Sequence, residues 1–124
     1  MEDEATRDAI DMFFAAINTS NSVRTSEFLA QALTSDVEFW GPLGPSGGIE
    51  AVEQFIAHMR QHPDGPGVME RTTGVDIPGE WARYGWRYRS PLGEDLLSGT
   101  DVVHLRKGRI DRIVVFAGEM PPLT

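Results

Sequence analysis

Two periodicities divide the chain. Its first half carries apolar residues at helical spacing, and its second half alternates. Ile10, Phe13, Phe14 and Ile17 stand at i, i+3, i+4 and i+7, which predicts a helix over residues 4–18 with one apolar stripe. The polar run NTSNS, residues 18–22, ends it. A shorter helix follows, with Thr25 as its expected cap and Phe28, Leu29, Ala32 and Leu33 as its apolar face. DVEFW, residues 36–40, is rich in strand formers, and GPLGPSGG, residues 41–48, is a loop by composition. Val52, Phe55, Ile56 and Met59 repeat the first spacing and predict a third helix over about 49–61, which HPDGPG, residues 62–67, stops.

From Val68 onward the period is that of strands. VMERTTGVDI, residues 68–77, is read as one strand. EWARYGWRYRS, residues 80–90, sets Trp81, Arg83, Gly85, Arg87 and Arg89 against Ala82, Tyr84, Trp86 and Tyr88. PLGED, residues 91–95, is a turn, and SGTDVVHLRKGRIDRIVVFAG, residues 98–118, is a hairpin that turns at Gly108. In that hairpin Asp101 shares a strand face with Val103 and Leu105, an unusual place for a carboxylate, while His104 lies on the opposite face. Helices gathered in the first half and antiparallel strands in the second indicate an α+β fold. Its expected form is one domain over residues 1–124, a curved meander with helices on the concave side. A curved sheet closed by helices leaves an interior that can hold a small molecule.

Charge and composition narrow the partners. The formal net charge of −8 repels phosphate backbones and argues against nucleic acid. The cations of 83–89 and 106–112 alternate with other residues, as on a solvated sheet face. The chain has no cysteine, so it offers no thiol nucleophile, disulfide or Cys-ligated zinc, and it fits a reducing cytoplasm. The acidic start MEDEATRD leads into no apolar run, which argues against a signal peptide, and no stretch reaches the length of a membrane span. Ten arginines to a single lysine fit a GC-rich bacterial genome.

The order of elements resembles the NTF2-like, or SnoaL-like, superfamily over essentially the whole chain. The motifs that carry the resemblance are GTDVVHLRKGRIDRIVVF and, second, GPLGPSGGIEAVEQF leading into the third helix. It implies an NTF2-like cone: a curved, mostly antiparallel sheet with three helices from the N-terminal half over its concave face. In ketosteroid isomerases the strand position matching Asp101 holds a buried carboxylic acid that donates a hydrogen bond to the substrate oxygen. In several polyketide cyclases an acid in this region is a general acid/base. The chain also departs from those relatives. Gly41, before Pro42-Leu43-Gly44, stands where the isomerases carry their proton-shuttling aspartate. Phe13 or Phe14 stands in place of their first-helix tyrosine, and Phe55 or Ile56 in place of a tyrosine on the third helix. No Arg-x-Asp run leads into Asp101, as the relay of limonene epoxide hydrolase would require.

Asp101 is therefore the candidate catalytic residue, because a buried carboxyl without a charged partner takes up a proton and becomes an acid near neutrality. The competing assignment is a structural aspartate paired with an arginine or a Trp N–H. The resemblance implies an apolar pocket around it. The expected lining is Phe14 and Ile17 from the first helix, Phe39 from the first strand, and Phe55 and Met59 from the third helix. Trp86 and Tyr88 would complete it from the alternating strand, with Val103 and Val115 from the hairpin. His58 and His62 have a metal-compatible spacing but lie off the apolar face with no third ligand, so they are read as surface groups and no metal site is expected. Arg83, Arg87 and Arg89 are assigned to the convex face. The last strand is apolar on both sides, with Val114 and Phe116 on the side away from the core, which suggests a homodimer through the sheet. The expected function is a SnoaL-like enzyme that needs no cofactor and moves protons on a small hydrophobic molecule as an isomerase, cyclase or hydrolase. The alternative is a non-catalytic small-molecule-binding or dimerisation protein on the same fold.

Overall fold

The computed structural model describes residues 2–41 and 44–123, so Pro42 and Leu43 of the glycine-proline loop lie outside the described residues. The elements run α1 (Glu2–Asn18), α2 (Ser22–Ala32), β1 (Leu33–Gly41), β2 (Gly44–Gly47), α3 (Ile49–Arg60), β3 (Val68–Arg71), β4 (Trp81–Arg89), β5 (Asp95–Arg106) and β6 (Arg109–Ala117). The strands form one sheet in the order β2-β1-β6-β5-β4-β3. Only β1 and β6 run parallel; the other neighbours are antiparallel. The helices pack on its inner face, and the fold is the expected α+β cone. No described helix is long and apolar enough to cross a membrane.

The apolar stripes bury as their spacing requires. Ile10, Phe13 and Ile17 of α1 and Val52, Ile56 and Met59 of α3 enter the core, where they meet Phe39, Val103 and Ile113 of the sheet. Three local expectations need correction. Thr25 is not the cap of α2. Asn21 caps it, its Oδ1 accepting from the N–H groups of Val23 at 2.9 Å and Arg24 at 3.2 Å. Thr25 is buried within the helix, where its hydroxyl lies 3.2 Å from the carbonyls of Ala16 and Asn21. The GPLGPSGG segment is not all loop, because residues 44–47 pair with β1 as an outermost strand. Pro45 is tolerated there because an edge strand leaves one side of its backbone unpaired. The strand expected over 68–77 stops at Arg71. Beyond it the Thr73 hydroxyl accepts from the Gly85 N–H at 2.8 Å, and a lone bridge joins Asp76 to Arg83.

One guanidinium ties the helices together. Arg60, at the end of α3, donates to the carbonyls of Ala16 at 3.0 Å and Ile17 at 2.9 Å in the last turn of α1, and also to that of Thr19 just beyond it. These are carbonyls that a helix end leaves without partners. Charge-assisted bonds of this kind are worth about 1.5–3 kcal/mol. Arg60→Met is expected to lower the urea-unfolding free energy by about 1–2 kcal/mol without changing the fold. An unchanged unfolding midpoint would show that the cap carries no stability.

Candidate active site

The β4–β5 register places Tyr84 directly across from Asp101 on the inner face of the sheet. The Tyr84 hydroxyl donates to Asp101 Oδ2 at 2.8 Å. Both residues are buried, Asp101 being 6% and Tyr84 2% exposed. Phe14 packs edge-on against the Tyr84 ring with centroids 5.5 Å apart. Among the described residues no cation forms an ion pair with Asp101. Burial without a counter-charge pushes its carboxyl up to about 7, against smaller lowering effects of the Tyr84 hydroxyl and the Trp86 indole. Burial, and then the neighbouring Asp101, push the Tyr84 phenol well above its ordinary value, so it stays protonated and remains a donor.

The other carboxylate oxygen, Oδ1, has no hydrogen-bond partner among the described residues, and neither has Trp86 Nε1. The indole lies close enough to favour the charged carboxylate, yet the two groups do not meet in hydrogen-bond geometry. Gly99 on β5 makes room for that indole. A Cβ there would stand 2.8 Å from the Trp86 ring and 2.2 Å from the Phe116 carbonyl oxygen.

Asp101 does not open into a roomy pocket. It borders a void of about 20 Å³, enough for one water-sized group. Phe13 and Met69 line this void together with six of the nine residues expected around a ligand: Ile17, Phe39, Phe55, Met59, Trp86 and Val115. Large side chains from α1, α3 and β1 fill the concave side, which is why the expected enclosed chamber is nearly closed. A cleft of about 450 Å³ lies beyond them, in the range of small-molecule sites. Phe55, Met59, Trp86 and Val115 border both spaces and form the partition between them.

Phe14, Tyr88 and Val103 line neither space. Phe14 is taken up by Tyr84 and Val103 by the core. The Tyr88 hydroxyl accepts from the Gly67 N–H at 2.8 Å, which holds it away from the site. Conversely, His58 and His62 stand on the wall of the cleft, as do Leu97 and Ala117. Among the described residues no cluster of metal-binding side chains occurs.

The outer face carries the groups that alternation assigned to it. Arg83, Arg87 and Arg89 pair with Asp76, Glu70 and Asp95. His104 contacts Asp111 at 2.6 Å and Glu80 at 3.3 Å, on the side of β5 opposite Asp101. Trp40 and Phe116 are exposed there by 46% and 57%.

No protein-family model matches the sequence. No curated protein matches it at a significant level. Solved structures do. A candidate isomerase of the SnoaL-like family from Agrobacterium tumefaciens superposes with a TM-score of 0.81 at 28% identity, over 94% of this chain and 99% of that one. The chain belongs to the NTF2-like, SnoaL-like superfamily. A candidate ketosteroid isomerase from Kribbella flavida has the same fold, with a TM-score of 0.71 at 22% identity over 98% of this chain and 84% of that one. A candidate polyketide cyclase from Sinorhizobium meliloti matches with a TM-score of 0.68 at 17% identity, over 87% and 93%. NTF2-like, SnoaL-like proteins thus go under the names of different reactions, and the chemistry of this one has to be argued from its site.

Proposed function

We propose that this chain is a SnoaL-like enzyme that transfers protons on a hydrophobic small molecule, without a cofactor, as an isomerase, cyclase or hydrolase with Asp101 as its acid/base group. The observation that carries the proposal is the state of the carboxyl. It is buried, pairs with no cation among the described residues and has one oxygen fixed by Tyr84, and burial pushes it up to about 7. A general acid or base works best when its pKa lies near the working pH. Because Tyr84 occupies Oδ2, Oδ1 is the atom that gives and takes the proton.

For a ketone the step is balanced as follows. Oδ1–H protonates the carbonyl oxygen while an α-carbon loses a proton, and a C–OH and a C=C bond form. Reversal at the same carbon exchanges its proton. In a β,γ-unsaturated ketone the dienol instead takes the proton at the γ-carbon while the C–OH returns its proton to Oδ1, which shifts the double bond with no net redox change. His58 and His62, the titratable side chains of the cleft wall, are available for the carbon-bound proton. Access to Asp101 requires the partition to part, and Met59 is its unbranched, adaptable member.

A direct test uses 2-tetralone, an enolisable ketone, in heavy water. The protein is expected to speed deuterium uptake at the α-carbon above the buffer rate, followed by NMR. Uptake at the buffer rate, with the ketone bound, would leave a non-catalytic ligand-binding protein on the same fold. The near-closed partition is the observation that favours that second reading.

The proposed partner on the outer face is a second copy of the chain. Val102 and Val114 pair across β5 and β6, and the exposed Phe116 and Trp40 lie beside them. Patches of this kind in the middle of a sheet face mark interaction surfaces. Sedimentation at micromolar concentration is expected to give a dimer and Phe116→Asp a monomer; a wild-type monomer would end the proposal.

A further inference from the structure

We propose that Trp86 is a specificity-determining donor: its indole N–H, beside Asp101 Oδ1, takes one uncharged oxygen of a ligand whose apolar body lies in the cleft. The inference rests on the cleft being the ligand site of the proposed function, and it goes further by naming what the ligand must carry.

Trp86 borders both spaces. Trp86 is 5% exposed, and its Nε1 finds no acceptor among the described residues. A buried polar group left unpaired costs about 1–3 kcal/mol, so such groups are rare unless something else meets them. Here two stand together, one a donor only and the other the free oxygen of a carboxyl. The backbone is shaped around the ring as well, since any side chain at Gly99 would collide with it.

Volume and charge then select the ligand group. The void of about 20 Å³ admits one oxygen-sized group, too little for a carboxylate or phosphate. An anion would also be repelled by ionised Asp101. An ammonium would suit Asp101 but cannot accept from the indole N–H. A carbonyl or hydroxyl oxygen satisfies both. It accepts from Trp86 in every case. It then accepts from Oδ1 if that atom carries a proton, or a hydroxyl donates to Oδ1 if it does not. The apolar remainder of the molecule occupies the cleft, whose walls include Leu97, Val115 and Ala117. The competing arrangement is a direct Trp86–Asp101 hydrogen bond that closes over the void and leaves nothing for a ligand.

The test compares tetralin with 2-tetralone, the same bicyclic skeleton without and with one oxygen, by calorimetric titration of the full chain. The ratio of their dissociation constants cancels changes in the shape of the cleft. Trp86→Phe is expected to reduce the preference for the ketone roughly five- to tenfold, the worth of one hydrogen bond. In the wild-type protein the Trp86 indole N–H resonance is expected to shift with 2-tetralone and stay in place with tetralin. That resonance is assigned through the exposed Trp40→Phe and Trp81→Phe variants, so it decides the matter even if Trp86→Phe fails to fold. An unchanged ratio in a folded Trp86→Phe protein, or an indole resonance indifferent to the ketone, overturns the inference. Binding of both probes without Trp86-dependent preference sinks it while leaving proton transfer open. Preference without deuterium uptake sinks the enzymatic proposal alone. No binding of either probe removes both.

Discussion

Asp101→Asn is expected to reduce proton transfer by roughly a hundredfold or more, while making the folded protein more stable at neutral and alkaline pH. The carboxyl titrates at about 7 in the folded chain and at its ordinary value of 3.8 when unfolded. Between those values the folded chain keeps a proton that the unfolded chain has lost. Its contribution to stability is therefore complete below about pH 4 and falls by about 1 kcal/mol for each unit toward 7, then levels off. Asparagine cannot ionise, so that slope disappears. The variant should exceed the wild type by about 2 kcal/mol or more at pH 8. Urea unfolding from about pH 4 to 8 measures the slope, and deuterium uptake by 2-tetralone measures the chemistry. A wild-type stability flat across that range would mean that Asp101 is ionised throughout, and its role as an acid would fail.

The second large effect concerns Tyr84. Tyr84→Phe keeps the ring against Phe14 but removes the bond to Oδ2, leaving both carboxyl oxygens of Asp101 without a donor in hydrogen-bond geometry among the described residues. The expected cost is about 1–3 kcal/mol. Because that bond favours the charged form, its loss drives the Asp101 titration above 7, so the destabilisation is larger at alkaline than at acid pH. Carbon-13 NMR of the Asp101 carboxyl reads the midpoint directly. A midpoint unmoved in the variant would show that Tyr84 does not set it, and the positioning role argued for it would be wrong.

Asp101 was legible in the sequence because a strand has only two faces, and the face of Val103 and Leu105 had to be the buried one. Its partner was less so. Tyr84 stood on the correct face of its own strand, but only the register of the β4–β5 hairpin brings it opposite Asp101. A turn centred on Leu92 and Gly93 would have given that pairing, and this was the usable signal. The cap of α2 is hard to place from the sequence because Asn21 and Thr25 are both of capping type, and what decides is which residue precedes the helix. The size of the pocket was beyond reach of any periodicity. It depends on how far Phe13, Phe39, Phe55 and Met59 extend into the cone, a matter of rotamers and helix tilt. His58 and His62 lie off the apolar stripe of α3, which marks them in the sequence as surface groups. The edge of that stripe is where a cleft beside the helix begins.

The position of β6 has a consequence for how the chain is made. It is the last of the six described strands in sequence but an inner one in space, pairing with β1 on one side and β5 on the other. A chain emerging from the ribosome therefore completes its helices and β1 long before the strand that must lie beside β1 exists. Until residues 109–117 are free, β1 and β5 each present an unpaired edge, and the core of the cone has no floor. Closure of the sheet thus waits for a contact between segments some seventy residues apart, such as Phe39 with Ile113. The nascent intermediate is the species most exposed to aggregation or in need of a chaperone.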